Sequence, residues 1–296
     1  MKQEGEKTMD RPFTRLVQIE IKKAITNKYF IITFLIAIIF ALLSALYMIG
    51  FYNDNLYLND LKGGNMQLHN NSLYNHWLGG EDRSFGFTLF FTLLPLIATF
   101  PYGWSYYLET KQGYVKSVVI RSGKQSYFLA KYIATFLAGG IVIFLPLLFN
   151  FLIIAAFVPA TMPTNIANIH TLAYPVANTS MWSSLFYTQP LLFVFLYLIL
   201  NFVFGGLFAT MSLALSFFVK NRIAVLLVPF FIVMMLHYSQ GYFPNPFLIE
   251  FSPLYYLHAL EIINETNGWV VLAQGLLLFA VTFTITMKLG VKREVL

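Results

Sequence analysis

The sequence predicts an all-α membrane protein with six transmembrane helices, an amphipathic interface helix at the N-terminus and both termini in the cytoplasm. Hydrophobic residues make up 58% of the 296 residues and charged residues only 11%, whereas soluble domains carry about 25% charged residues. Six apolar runs are each long enough for a bilayer core, which takes about 20 residues to cross. Lysine and arginine are concentrated in alternate segments between these runs.

The composition also excludes several kinds of function. The chain has no cysteine, which excludes disulfides, thiolate catalysis and cysteine metal sites. A net charge of +6 would suggest nucleic acid as the partner of a soluble protein, but the distribution of the bases favours a lipid surface and no nucleic acid. The first 28 residues lack the short apolar core of a signal peptide. We therefore expect the first apolar run to be retained as a membrane anchor.

Residues 1–28 are predicted to form a cytoplasmic N-terminus and an interface helix. From residue 13 the apolar side chains recur at helical spacing, while Lys22 and Lys23 lie on the polar side, toward the lipid headgroups. Glu20 falls within the apolar arc. Two interpretations are open: an acid that reaches past the lipid to water, or an ion pair with a base of residues 109–131.

Residues 29–290 are predicted to form one six-span transmembrane domain, and residues 291–296 a cytoplasmic tail. The predicted spans are 29–51, 85–107, 132–158, 190–219, 223–243 and 269–287. Residues 52–84 and 159–188 are predicted to be outer loops, and the semi-apolar residues 244–267 an interfacial or re-entrant hairpin.

The charge distribution predicts the orientation. Of the 19 lysines and arginines, 17 fall in the N-terminal segment, residues 109–131, residues 220–222 and the C-terminal segment. Only Lys62 and Arg83 fall on the other side. The positive-inside rule therefore puts both termini in the cytoplasm.

Residues 109–131 are the longest charged segment between two apolar runs. They carry five bases and one acid, Glu109. Within the segment, an apolar stripe is offset by Lys116 and Arg121, which could contact an acidic partner. The stripe comprises Tyr114, Val115, Val118 and Val119. The alternative is a solvated basic loop that only obeys the positive-inside rule.

The predicted spans carry no charged residue before Lys288, which argues against an ion-coupled carrier. His237 is the one titratable group well inside a span, and such a histidine is usually a packing residue. His258 and Glu261 could share a helix face, but one histidine and one acid make a weak metal site. No catalytic, cofactor or metal site is predicted. The sequence has no P-loop motif, so we do not expect this chain to hydrolyse ATP.

Two short elements carry a resemblance to a known family. Glu109-x-x-x-Gly113 follows the second predicted span, and Tyr127-x-x-Ala130-Lys131 opens the third. With the six-span topology, they make the whole chain resemble the ABC-2 type permeases, the membrane subunits of one class of ATP-binding-cassette exporter. The family often has a proline-containing turn between the two elements, whereas residues 121–124 contain none.

The resemblance implies that a separate cytoplasmic ATPase subunit, holding ATP and Mg²⁺, docks on residues 114–120 as a coupling helix. It also implies a second permease subunit, identical or different, and an amphipathic or hydrophobic cargo such as a peptide, drug or lipid. The coupling residues implied are Glu109, Gly113, Tyr114, Val115, Lys116, Val118, Val119, Arg121, Lys124 and Lys131. Residue usage and size fit a multi-pass protein of a bacterial plasma membrane. A non-transporting sensor or scaffold with ligand-binding outer loops, and a membrane enzyme using the histidines, are the alternatives.

Overall fold

The computed structural model describes residues 3–62, 72–163, 181–239, 251–259 and 266–292. Over these residues the chain is all-helical, with 83% helix and no strand. The helices of this part of the chain are α1 (Gln3–Thr26), α2 (Lys28–Lys62), α3 (Leu73–His76), α4 (Phe85–Thr99), α5 (Ser105–Lys111), α6 (Tyr114–Ser122), α7 (Lys124–Phe157), α8 (Ser183–Thr188), α9 (Pro190–Leu215), α10 (Arg222–Tyr238), α11 (Pro253–Tyr256) and α12 (Gly268–Lys292).

The all-α prediction is confirmed, and four helices are long and apolar enough to span a membrane: α2, α7, α9 and α12. Helices α4 and α10 are apolar but have only 15 and 17 residues. At 1.5 Å per residue they reach roughly 22 and 26 Å, less than the ~30 Å hydrocarbon core. Several helices of the described residues are therefore long and apolar enough to span a membrane, as is typical of a membrane protein.

Two helices continue past the apolar residues of the predicted spans. Helix α2 runs on to Lys62 rather than ending at residue 51, since residues 52–62 contain neither glycine nor proline. Helix α7 begins at Lys124 rather than at residue 132, directly after Gly123 with its φ of 79°. Its first two turns therefore include Lys131, a buried charge that the prediction had placed in a loop.

Two other predicted spans end early. Helix α4 stops at Thr99 instead of residue 107, because Pro101 has no N–H with which to continue the helical hydrogen bonds. The chain then turns through residues 100–104 into α5. Helix α9 ends at Leu215 rather than at residue 219. Helix α10 ends at Tyr238, and the rest of that predicted span, like most of residues 244–267, lies outside the described residues.

The centre of the bundle is the crossing of α7 and α9. A Cβ atom placed on Gly139 would lie 2.4 Å from the Cβ of Ala209 and 2.7 Å from the carbonyl oxygen of Gly205. Glycine therefore lets the two backbones touch at this crossing. Gly139 and Gly205 thus pack against each other inside the chain.

Buried amides tie α7 and α9 to neighbouring segments. Asn150 on α7 donates to the carbonyl of Ala41 on α2 at 2.8 Å and accepts from the amide of Leu78 at 2.7 Å. Asn201 on α9 donates to the carbonyl of Leu257 at 2.7 Å. A buried amide is costly unless it is hydrogen-bonded, so these partners fix how the helices sit against one another.

One side chain completes the joint between α1 and α2. The Asn27 amide nitrogen donates to the carbonyls of Ala24 at 2.6 Å and Pro101 at 3.2 Å, and its oxygen accepts from the amide of Phe30 at 2.9 Å. It therefore bonds free groups at the end of α1 and at the start of α2. The same residue anchors this joint to the turn after α4.

We expect Gly139→Leu to destabilise the protein, because the new side chain meets backbone atoms that cannot move aside. Overpacking of this kind costs about 1–3 kcal/mol or more. Thermal unfolding in detergent should show a drop of several degrees in Tm. Gly50→Leu is the matched control, since a Cβ at Gly50 meets no atom within 4 Å. Equal Tm values for the two variants would contradict the backbone contact at the crossing.

Candidate functional site

Four charged side chains from three helices form a buried ion cluster: Glu20 and Lys23 on α1, Glu109 on α5 and Lys131 on α7. The Nζ of Lys131 lies 3.0 Å from Oε2 of Glu20 and 2.7 Å from Oε2 of Glu109. The Nζ of Lys23 lies 2.9 Å from Oε1 of Glu20 and 2.6 Å from Oε1 of Glu109. Acids and bases thus alternate around a ring, and its net charge is zero.

Two tyrosines complete the hydrogen bonding of the ion cluster. The Tyr102 hydroxyl donates to Oε2 of Glu20 at 2.7 Å and accepts from the Lys131 ammonium at 3.0 Å. The Tyr127 hydroxyl donates to Oε2 of Glu109 at 2.6 Å. Every carboxylate oxygen of the ion cluster therefore has a donor, which is what allows charges to stay buried. With all its groups paired, the ion cluster is built to hold helices together.

The four side chains of the ion cluster are buried to different extents. The side chains of Glu20 and Lys131 are fully buried, whereas Lys23 keeps 33% of its side chain exposed. Burial alone would raise the pKa of Glu20, but the ammonium groups of Lys131 and Lys23 outweigh it, and the pKa lies below its ordinary value. Burial alone would lower the pKa of Lys23, but Glu109 and Glu20 raise it above its ordinary value. Both groups are therefore charged across the neutral pH range.

The position of Glu20 decides between the two interpretations of its sequence context. Leu16, Glu20 and Ala24 form a buried stripe at a spacing of four residues. This stripe packs against α7, so Glu20 pairs with Lys131, a base of residues 109–131. Lys22, the next base on α1, is exposed. The apolar side of α1 is thus covered by protein where the sequence predicted lipid.

Helix α6 lies beside the ion cluster. Two glycines with positive φ separate it from the neighbouring helices. Gly113 has φ 73° and Gly123 has φ 79°, values that residues with a side chain rarely adopt. The predicted coupling segment is therefore a helix of its own, Tyr114–Ser122. The Nζ of Lys23 lies 4.3 Å from the centre of the Tyr114 ring, so α6 contacts the ion cluster directly.

The predicted apolar stripe of α6 faces the protein instead of a partner. Val115 is buried, and Val118 and Val119 pack against an aromatic cluster that includes Tyr106 and Phe128. The outward face instead presents Ile120, which is 77% exposed, together with Lys116, Ser117 and Arg121. A partner would therefore meet one prominent apolar side chain flanked by bases.

Other basic segments meet the same end of the bundle. The Lys124 ammonium donates to the carbonyl of Val291 near the end of α12 at 3.2 Å. The guanidinium of Arg222, at the start of α10, stacks 3.9 Å from the Trp104 ring and 4.7 Å from the Tyr29 ring. The N-terminal helix, residues 109–131, the 220–222 turn and the end of α12 are thus neighbours.

The structure brings together Glu20, Lys23, Glu109 and Lys131 from the predicted set. Sequence reasoning missed Tyr102 and Arg222, and Tyr127 entered only through the family resemblance. Tyr102 sits directly after Pro101 in what was predicted as a continuous span, so the only available signal was the proline. No local sequence pattern predicts that the Tyr102 hydroxyl would bond Glu20, an acid 82 residues away in the sequence.

The two histidines of the enzyme alternative lie away from the ion cluster. His237 Nδ1 is 3.0 Å from the Ser252 hydroxyl. His258 is partly buried and packs against the rings of Phe87 and Phe91, at 5.3 and 5.4 Å between ring centres, and desolvation lowers its pKa to about 4. Such a ring is neutral at physiological pH and is packed as an aromatic side chain. Glu261 lies outside the described residues.

No protein-family model, curated protein or solved structure matches the chain.

We expect Lys131→Met to be strongly destabilising, because Glu20 and Glu109 would then share only the partly exposed Lys23. Breaking a buried ion pair in this way costs about 3–5 kcal/mol. Lys22→Met is the matched control, since it makes the same change at an exposed lysine of α1. Thermal unfolding of both purified variants gives the comparison. A Lys131→Met protein as stable as the control would show that the ion cluster does not hold the helices.

Glu20 should also give the stability a dependence on acid pH. Its folded pKa is lower than its ordinary 4.5, so its stabilising contribution is present above that value and is lost as the pH falls through the folded pKa. Glu20→Gln has no carboxyl to protonate at this position. The Tm difference between wild type and Glu20→Gln should therefore be largest near neutral pH and shrink below about pH 4.5. A difference that does not change with pH would contradict the buried, charged state of Glu20.

Proposed function

We propose that this chain is the membrane subunit of an ABC-2 type exporter, a multi-pass protein of a bacterial plasma membrane that is driven by a separate cytoplasmic ATPase. The observation that carries the proposal is the exposed helix α6, set off by Gly113 and Gly123 and seated on the buried ion cluster. A membrane protein that receives work from a soluble partner needs such a protruding element with a firm connection to its spanning helices.

The connection from α6 into the bundle is continuous. Tyr114 meets Lys23, and Lys23 is paired with Glu20 and Glu109. These acids are paired with Lys131, which belongs to the same helix as the glycine crossing with α9. A displacement of α6 would therefore strain contacts on α1, α5 and α7 together. Coupling between distant sites requires such an element, whose position both sites influence.

The proposed orientation has both termini and α6 in the cytoplasm. Three of the four base-rich segments that the positive-inside rule assigns to one side are joined by direct contacts, Lys23 with Glu109 and Lys124 with the Val291 carbonyl. The 220–222 turn lies beside them, because Arg222 stacks on Trp104, directly before α5, and on Tyr29, directly after Lys28. These contacts support the assignment, because segments on opposite sides of a bilayer could not meet.

The outward face of α6 indicates the chemistry of the partner. Ile120 would enter an apolar pocket of the ATPase, and Lys116 and Arg121 would lie beside acidic side chains at its rim. ATP and Mg²⁺ would be held by that ATPase, since the sequence of this chain has no P-loop.

The proposed cargo is amphipathic or hydrophobic, and a second membrane subunit, identical or different, would complete its pathway. Helix α9 carries no charged residue, and its buried amide Asn201 is hydrogen-bonded to backbone carbonyls. A helix of this kind offers apolar contact and no charged group to a small ion.

The test is affinity purification of the tagged chain from its native membrane, with mass spectrometry of the partner and measurement of its ATP hydrolysis. We expect an identified ATPase, and we expect Ile120→Asp and Arg121→Glu each to lower its recovery about tenfold or more, as the loss of a central interface contact does. Lys220→Glu is the control, because it reverses an exposed charge on the same proposed side outside α6. Equal recovery with all three variants would remove α6 as the docking site, and recovery of no ATPase would overturn the proposal.

A further inference from the structure

The start of α2 and the start of α10 bring two bases onto one aromatic ring, and the proposed function uses neither. The Nζ of Lys28 lies 5.4 Å from the centre of the Tyr29 ring. The guanidinium carbon of Arg222 lies 4.7 Å from the centre of the same ring. Lys28 is exposed and Arg222 is half-buried. These two residues form the basic site, which lies at the same end of the bundle as the ion cluster.

No acid balances the basic site among the side chains that the structure describes. The acids described at this end, Glu20 and Glu109, are both bonded to the two lysines of the ion cluster. Two like charges on one ring repel each other, and the repulsion is stronger near a membrane than in bulk water because the dielectric constant is lower. The basic site is therefore favoured by an anion that the described chain does not supply.

Arg222 is held in a way that suits an anion with several oxygens. Its guanidinium carbon lies 3.9 Å from the centre of the Trp104 ring. Trp104 is itself fixed, because it is buried and its indole N–H donates to the Phe100 carbonyl at 2.9 Å. A ring that contacts the face of a guanidinium restrains it and leaves the N–H donors at its edge available. Those donors match the oxygens of a phosphate in pairs.

Two exposed apolar side chains flank Arg222 along the chain and indicate what carries the phosphate. Phe218 is 62% exposed and Ile223 is 65% exposed. At the boundary of a bilayer, apolar side chains lie among the acyl chains while neighbouring bases reach the headgroups. A soluble anion would leave both apolar side chains in water. The combination therefore favours a phosphate that is attached to acyl chains.

We propose that the basic site binds the phosphate of an anionic phospholipid, with the acyl chains beside Phe218 and Ile223. Arg222 holds two phosphate oxygens, and Lys28 adds a second positive charge. Phosphatidylcholine fits less well, because its quaternary ammonium brings another positive charge to the two bases. The inference requires only that this end of the bundle lies at a membrane surface, and it does not depend on the export function.

Native mass spectrometry of the full chain in detergent, titrated with phosphatidylglycerol or phosphatidylcholine, tests the binding. Wild type should bind phosphatidylglycerol about tenfold more tightly, since each base near an anionic headgroup contributes to the affinity. Arg222→Gln should lower phosphatidylglycerol binding about tenfold, as the loss of a hydrogen bond to a charged group does. Arg121→Gln, the same change at an exposed arginine of α6, should bind as wild type does. Equal binding of the two lipids by wild type, or equal phosphatidylglycerol binding by the two variants, would overturn the proposal.

Inorganic phosphate distinguishes a lipid from a soluble anion. Phosphatidylglycerol should stay bound in an excess of inorganic phosphate as it does in sodium chloride of the same ionic strength, because inorganic phosphate has no acyl chains to place beside Phe218 and Ile223. Displacement by inorganic phosphate but not by chloride would make a soluble anion the ligand and overturn the proposal.

Spin labels test the position of the basic site without relying on the folding of Arg222→Gln. The chain has no cysteine, so Phe218→Cys, Ile223→Cys and Ser117→Cys each carry one label. In phosphatidylglycerol liposomes, labels at residues 218 and 223 should collide more with oxygen, which dissolves among acyl chains, than with a water-soluble nickel chelate. Ser117 lies on the outward face of α6 and gives the reference for water. Labels at residues 218 and 223 as accessible to the chelate as the Ser117 label would overturn the proposal.

Discussion

The structure depends on the neutralisation of charge in a place where water does not reach. Glu20 and Lys131 are fully buried, and each would be strongly unfavourable alone. They are tolerated because Glu109 and Lys23 complete a neutral ring and because Tyr102 and Tyr127 bond the carboxylates. This requirement fixes α1, α5 and the start of α7 relative to one another. An apolar contact would allow these helices to slide, whereas a ring of ion pairs is satisfied in one arrangement.

Helix α7 joins this constraint to the rest of the bundle. Near its start, α7 carries Lys131 of the ion cluster. About two turns later, Gly139 lets α7 touch the backbone of α9. Further along, Asn150 bonds the backbone of α2. Three kinds of contact, ionic, steric and amide, thus act along one rigid element. The α6 helix is attached where the ionic contact lies, so the outward face of α6 and the interior of the membrane domain are connected through α7.

The sequence predicted the helical class, the apolar runs and the partition of bases, because hydrophobicity and charge are properties of segments. It predicted a separate helix near residues 114–120, and it offered Glu20 pairing with residues 109–131 as one of two interpretations. Apolar runs did not show where the helices end, since helices such as α2 and α7 continue through polar residues when no glycine or proline interrupts them. It also assigned Val115 to a partner, because an amphipathic pattern shows which side is apolar but not what covers it. The roles of Tyr102 and Arg222 were not predicted, because their partners are distant in sequence.

The pairing of Glu20 with Lys131 has a consequence for biosynthesis. The two residues are 111 positions apart, and at about 5–20 residues per second a ribosome needs roughly 5–20 s to pass from one to the other. During that interval the nascent α1 has only its neighbour Lys23 to balance the acid, at the headgroup region or in water. Its final seat forms when the start of α7 has been synthesised. The N-terminal helix is therefore among the first segments made, but it cannot reach its final position until almost half of the chain has been synthesised.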